Sequence, residues 1–314
     1  MSVAEGQVLT RPATGRTVRP NARRRRWTSG PVLWLLPSVI VLLLISLYPQ
    51  IYSLVNSFRF YNLGVAAHPL GFVGGDNYLA AFSDTDFLDA LVRTTVFAVV
   101  ATAVEIAFGL LVALLLQQRL HGVRLARTLL IMPTAIAPAI AGLAFRSMYD
   151  PAGGLIPYLL KKIGVGVPAQ GILGSRSTAL GAVVVTDVWQ WTPFAALILM
   201  AAMQGVSAEV LEAARIDGAS AWQVFRSIVL PLIRPVLITV TLLRFISTFN
   251  VFDIIFVETR GGPGVSTTVA GLDVYYNGLS YYNIGYASAL TWIITVLVAI
   301  VINVYLATVG RKAR

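Results

Sequence analysis

Six stretches of about 20 predominantly apolar residues recur along this 314-residue chain. They run roughly from Pro31 to Ser53, Thr95 to Leu116, Leu129 to Met148, Leu180 to Met203, Val236 to Phe256 and Tyr286 to Thr308. A helix of that length crosses the hydrocarbon core of a bilayer, and backbone polar groups there must be satisfied within the helix. The expected fold class is therefore all-α: a polytopic membrane protein with six transmembrane helices. Charge agrees, since only 12% of residues are charged, against about 25% in an ordinary soluble domain. The third stretch contains Pro133 and Pro138 and is expected to kink.

The net charge of +10 would suggest nucleic acid in a soluble protein. Here Lys and Arg sort by side of the membrane instead. With the N-terminus inside, sixteen fall on inside segments, among them Arg23 to Arg26, Arg119, Arg124, Arg127, Arg215, Arg226 and Arg234. Seven fall outside, and Arg244 is left within a span. Both termini are thus expected in the cytoplasm, and no nucleic-acid partner is implied. Residues 1–30 read as a basic cytoplasmic tail without fixed structure, and residues 31–314 as the transmembrane domain. The run after Arg26 lacks a small-residue cleavage site, so a retained first helix is expected rather than a signal peptide.

Several chemistries are excluded or unsupported. Cysteine is absent, which removes disulfides, thiolate metal sites and cysteine nucleophiles. There is no G-x-x-x-x-G-K-[ST] phosphate loop and no H-E-x-x-H, and neither His68 nor His121 lies in a span. No metal site, cofactor or catalytic residue is indicated in this chain.

One cytoplasmic insertion, residues 204–235, interrupts the apolar pattern with "EAARIDGASAWQVFRSIVLPLIRP" from Glu212 to Pro235. Its residues predict two short helices and a sharp bend. Ser207 is placed to cap the first, Asp217-Gly218 to end it, and Ser220 with Gln223 to form a capping box for the second. Pro231 and Pro235 are expected to break the second helix where the chain re-enters the membrane. An amphipathic loop lying on lipid and a docking element for a cytoplasmic partner both fit these residues.

The spacing E-A-A, three residues, G, nine residues, I-x-L-P is met by Glu212, Ala213, Ala214, Gly218, Ile228, Leu230 and Pro231. It resembles the cytoplasmic signature of permease subunits of binding-protein-dependent ABC importers. "NYLAAFSDTDFLDAL", "RFISTFNVFDIIFVETRGGPG" and "YYNIGYASAL" are similar to the carbohydrate branch of that family, to the first permease of maltose-type and glycerol-phosphate-type systems. Where the family has a Thr-Gly-Gly-Gly-Pro-like run, this chain has Thr259-Arg260-Gly261-Gly262-Pro263. The resemblance implies a type I importer permease fold in the bacterial inner membrane. It also implies a second homologous permease, an ATPase dimer that binds ATP and Mg, and an extracytoplasmic binding protein that delivers a small solute. The seven signature residues would then couple this chain to the ATPase.

Charged residues within the spans are expensive and must face protein or water. Glu105, Asp187 and Arg244 are of this kind, and a buried pair of Arg244 with Asp187 or Glu105 would serve to hold the bundle together. Arg244, Ser247, Thr248 and Val251 share one face of the fifth span by their spacing, as do Asp187 and Trp191 on the fourth. By resemblance, Asp187, Trp191, Phe194, Arg244, Ser247, Thr248 and Val251 line the sugar pocket, although relatives carry mostly neutral polar groups there. Paired charges would suit a polyhydroxylated ligand, and an unpaired Arg244 an anionic one. Proton coupling through Glu105 or Asp187, in a self-sufficient secondary transporter, is the alternative function. A membrane enzyme has no supporting motif.

Overall fold

The computed structural model describes residues 29–117 and 122–309. The basic tail, Arg119, His121 and the C-terminal Arg311, Lys312 and Arg314 lie outside the described residues. The chain divides into two units, Met1–Pro49 and Gln50–Arg314. The first holds α1 (Ser29–Leu42) and a π-helical turn, Leu43–Leu47. Its described side chains, Trp34 to Leu47 among them, are exposed along their whole length. α2 (Tyr48–Ser57) carries the chain into the second unit.

That unit opens with a two-stranded antiparallel hairpin, β1 (Arg59–Phe60) and β2 (Gly71–Phe72), with Arg59 opposite Phe72. The short α3 (Asp76–Ser83) follows. α4 (Thr85–Gln117) has 33 residues, roughly 50 Å, so it extends well beyond the ~30 Å hydrocarbon core. It begins ten residues before the predicted span. α8 (Ala179–Gln204) and α14 (Ile284–Val309) are also long and apolar. Among the described residues five helices qualify as spans, or six if one bent pair counts as a single span.

The bent pair is the predicted third span. α5 (Val123–Ile131), a 3-10 turn (Met132–Ala135) and α6 (Pro138–Met148) turn through 99°. This is a break rather than a kink. Ile136 and Ala137 are extended, with ψ of 133° and 137°; for Ala137 the cause is Pro138, which disfavours the helical region for the residue before it. The freed Ile136 carbonyl accepts a hydrogen bond from Gln190 Nε2 at 2.7 Å, which satisfies a group that a membrane interior cannot.

The prolines of the insertion act differently from expectation. After α7 (Leu155–Lys162) and α8 come α9 (Ala208–Ile216) and α10 (Ala221–Val224). α10 passes through a π turn, Phe225–Val229, directly into α11 (Leu230–Phe249). Neither Pro231 nor Pro235 ends the helix. Pro231 directly follows the π turn, whose wide register pairs the Leu230 N–H with Phe225 O, five residues back. The break falls instead at Asn250–Phe252, before α12 (Asp253–Glu258). Asn250 Nδ2 caps that end by donating to Ile246 O at 2.8 Å. α13 (Ala270–Tyr275) then leads to α14.

Two apolar clusters flank the middle of the bundle along α4 and α8. Phe97, Val183, Ile254 and Leu272 belong to one, and Ala113, Ala195, Leu199, Ile233 and Val240 to the other. Between them Gly109 lets α4 approach α8 closely. A Cβ there would lie 2.8 Å from Ala195 Cβ, well inside van der Waals contact, and small residues at such a crossing are how membrane helices pack.

Candidate functional site

The close approach at Gly109 positions the first site. One turn away on α4 is Glu105, and on the facing side of α8 are Asp187 and Trp191, while α11 brings Arg244 between them. Glu105 is fully buried, and Asp187 and Arg244 are each 3% exposed. Arg244 Nε donates to Glu105 Oε2 at 2.6 Å and Nη2 to Glu105 Oε1 at 2.8 Å. This is a bidentate fork, the strongest form of the pair. Nη2 also reaches Asp187 Oδ2 and Thr248 Oγ1, both at 3.3 Å. The Arg244 Cζ lies 4.7 Å from the centroid of the Trp191 ring, within cation–π range. Three helices are thereby tied by one guanidinium.

A cavity of about 120 Å³ opens beside this cluster. Pro138, Asp187, Trp191, Arg244, Ser247, Asn250, Val251 and Asp253 contribute to its wall. Five of the seven residues expected at a pocket are therefore brought together. The other two are not in the wall. Phe194 is half-buried and presents its ring edge-on to Trp191, at 6.2 Å between centroids. Thr248 is 1% exposed and turned into the cluster, its hydroxyl donating to Arg244 O at 2.7 Å. Val251 reaches the cavity from beyond the end of α11, so the shared helical face stops two residues short of it.

The second site is the bend between α9 and α10. Ser207 stands at the N-cap, but its side chain makes no capping hydrogen bond. The C-terminal end is complete. The Gly218 N–H bonds to Arg215 O at 3.1 Å and the Ala219 N–H to Ala214 O at 3.0 Å, the paired hydrogen bonds of a Schellman motif. Gly218 has a φ of +80°, which glycine adopts without a Cβ clash. Ser220 and Gln223 form the reciprocal capping box. Ile216 is 86% exposed and Trp222 64% exposed, so the bend carries large apolar side chains that its own chain does not cover.

With both sites described, the comparisons with known proteins are decisive. Residues 78–314 match the model of the family described as the binding-protein-dependent transport system inner membrane component. The chain belongs to that family. Over 244 residues this permease is 41% identical to the trehalose/maltose transport system permease protein MalF of Thermococcus litoralis, covering 77% of this chain and 81% of that one. It is 36% identical over 277 residues to the probable ABC transporter permease protein y4oQ of Sinorhizobium fredii, covering 88% and 89%. Its fold is that of a chain in the crystal structure of a bacterial ABC transporter involved in the import of the acidic polysaccharide alginate. The TM-score is 0.79 at 20% identity, covering 91% of the permease and 97% of that chain.

Arg260, within the run Thr259-Arg260-Gly261-Gly262-Pro263, adopts a φ of +52°. A non-glycine residue is uncommon in that region, and Arg260 O there accepts a hydrogen bond from Tyr276 Oη at 3.0 Å. Sequence reasoning did not place Asn250 or Asp253 at the cavity. The available signal was the pair itself, an amide and a carboxylate three residues apart near the end of an apolar run. The expected buried pair of Arg244 with Asp187 or Glu105 forms with both carboxyls, Glu105 being the closer at 2.6 Å.

A second cluster of charges lies where α4, α13 and α14 meet. Tyr286 Oη donates to Asp84 Oδ2 at 2.7 Å, and Arg93 Nε to Thr268 O at 2.9 Å. Asp273 is pushed up to about 6, mainly by burial and further by Asp84 and Asp86, with Arg93 opposing.

Proposed function

We propose that this chain is one of two permease subunits in an ATP-driven importer of a sugar, polyol or related small solute. It sits in the bacterial inner membrane with both termini and residues 204–235 in the cytoplasm. The observation that carries the reading is the joint at Gly218, taken together with family membership. Its caps hold two helices at a fixed angle, and α10 runs on through α11 to Arg244 without interruption. A push on Trp222 or Ile216 is thereby delivered to the wall of the cavity. Glu212, Ala213, Ala214, Gly218, Ile228, Leu230 and Pro231 form the coupling element. An ATPase dimer, which holds ATP and Mg, docks against it, and a binding protein delivers solute on the far side.

The cavity supports a shared pathway. At about 120 Å³ it is smaller than the roughly 300–1,000 Å³ of ordinary ligand sites, as expected if the second permease supplies the opposite wall. Asp187, Trp191, Arg244, Ser247 and Val251 form this subunit's share, with Phe194 and Thr248 supporting Trp191 and Arg244. ATP drives alternating access only by binding one state better than the other. The names of the curated relatives, trehalose and maltose among them, support a carbohydrate solute.

Reconstitution into proteoliposomes tests this. Uptake should require the second permease, the ATPase and ATP, and should survive collapse of the proton gradient. Uptake by this chain alone, driven by a proton gradient, would establish the secondary-transporter reading instead.

A further inference from the structure

The charges around the cavity do not balance. One guanidinium, Arg244, faces three carboxyl groups: Glu105 and Asp187 bonded to it, and Asp253 in the cavity wall. With all four ionised the group carries a formal charge of −2. It reaches neutrality only when two carboxyls are protonated, and becomes positive only when all three are. The guanidinium is therefore not free to receive an anion. Its Nε and Nη2 are committed to Glu105, Asp187 and Thr248.

Two polar groups line the cavity wall, the Arg244 guanidinium and the Asp187 carboxyl. One is a donor, the other an acceptor. A pair of neighbouring hydroxyls satisfies such a couple, since each hydroxyl both donates and accepts. A phosphate or sulfonate oxygen satisfies only the donor and is repelled by the carboxylates.

We propose that Glu105, with Asp187, sets the charge selectivity of this pathway, admitting neutral polyhydroxylated solutes and rejecting their phosphate and sulfonate esters. Glu105 does not line the cavity. It is a positioning residue, acting by fixing the guanidinium fork and cancelling its charge. The inference rests on the reading of the cavity as the solute path, and it narrows the solute to the uncharged members of that class.

The test uses the assembled complex, both permeases with the ATPase, in detergent and without the binding protein, so that upstream selection is absent. Equilibrium dialysis measures glucose, maltose, trehalose and sorbitol against glucose 6-phosphate and trehalose 6-phosphate. The parent should bind at least one neutral member and prefer it to the phosphates. Glu105→Gln and Asp187→Asn should each raise the phosphate-to-neutral affinity ratio by roughly tenfold, and the double variant by more, as removal of a like charge requires. Glu105→Asp should restore the parent ratio. A merely structural Glu105 would weaken both classes equally and leave the ratio unchanged, which overturns the proposal. Should Glu105→Gln fail to assemble, Asp187→Asn keeps the bidentate pair and changes the same formal charge; an unchanged ratio there overturns the proposal equally. A parent that binds phosphates as well as neutral sugars contradicts the charge selectivity alone. A parent that binds no neutral member contradicts the carbohydrate reading and this inference together.

Discussion

The charge cluster in the bundle and the bend at Gly218 solve opposite problems with the same chain. Around Arg244 the polar groups are turned inward and bonded across α4, α8 and α11. At the bend the backbone is satisfied locally, by the Schellman motif and the capping box, while Ile216 and Trp222 face outward. The first arrangement stabilises the bundle from within. The second is rigid without help and leaves a surface for something else to cover. Long-range polar bonding marks where the helices must stay in register; local capping marks where a short element must keep its shape while its surroundings change.

Substitutions should separate the two. Glu105→Ala leaves Arg244 bonded to a single carboxylate, Asp187 at 3.3 Å. Breaking a buried pair costs about 3–5 kcal/mol, so a clear fall in the unfolding midpoint of the detergent-solubilised complex is expected. A smaller loss, comparable to a surface change, would mean that the cluster does not hold the helices. Gly218→Val forces a β-branched residue into the left-handed region, at a cost of roughly 1–2 kcal/mol. The bundle should remain folded, whereas solute-stimulated ATPase activity should be lost. If stimulation persists, the bend is not the coupling element.

Ser220→Ala removes one half of the capping box, worth typically about 1 kcal/mol. Amide exchange should rise at the start of α10 and stay unchanged in α4 and α8. Exchange rising throughout would show that the bend and the bundle are one cooperative unit. A separate, pH-dependent effect belongs outside both regions. Asp273 has its carboxyl raised from an ordinary value of 3.8 to about 6, so the folded state holds this proton more tightly than the unfolded one. Its contribution is present below about 4 and is lost as pH rises through 6. Asp273→Asn should therefore flatten that part of the stability profile and be the more stable form above pH 6. A parent profile that does not fall over this interval contradicts the assignment.

The bend was legible because its determinants are local. Gly218, Ser220 and Gln223 act within a few residues of one another, and the capping box and left-handed glycine follow from them directly. The prolines misled because their consequence depends on what precedes them. A π turn absorbs Pro231, and nothing in "FRSIVLPL" announces it. Pro138, by contrast, produced a full 99° break, since both Ile136 and Ala137 are extended and Gln190 rescues a carbonyl from another helix. At the cavity, charge and spacing on single helices singled out Asp187, Trp191 and Arg244, and the resemblance implied their place at a pocket. The partnership of Arg244 with Glu105 spans 139 residues and depends on the approach at Gly109, which no spacing on one helix encodes. Thr248 keeps its expected place on α11, with its hydroxyl held by the Arg244 carbonyl one turn back.

The contrast between a self-contained bundle and an exposed joint can be measured at one residue. The chain contains no cysteine, so Ile216→Cys provides a single thiol on the uncovered face of the bend. Its rate of labelling by a maleimide, followed in the assembled permease pair before and after addition of the ATPase, reads that face directly. The account predicts rapid labelling without the ATPase and strong protection with it. Equal labelling in both states would contradict the claim that this bend is where the ATPase docks.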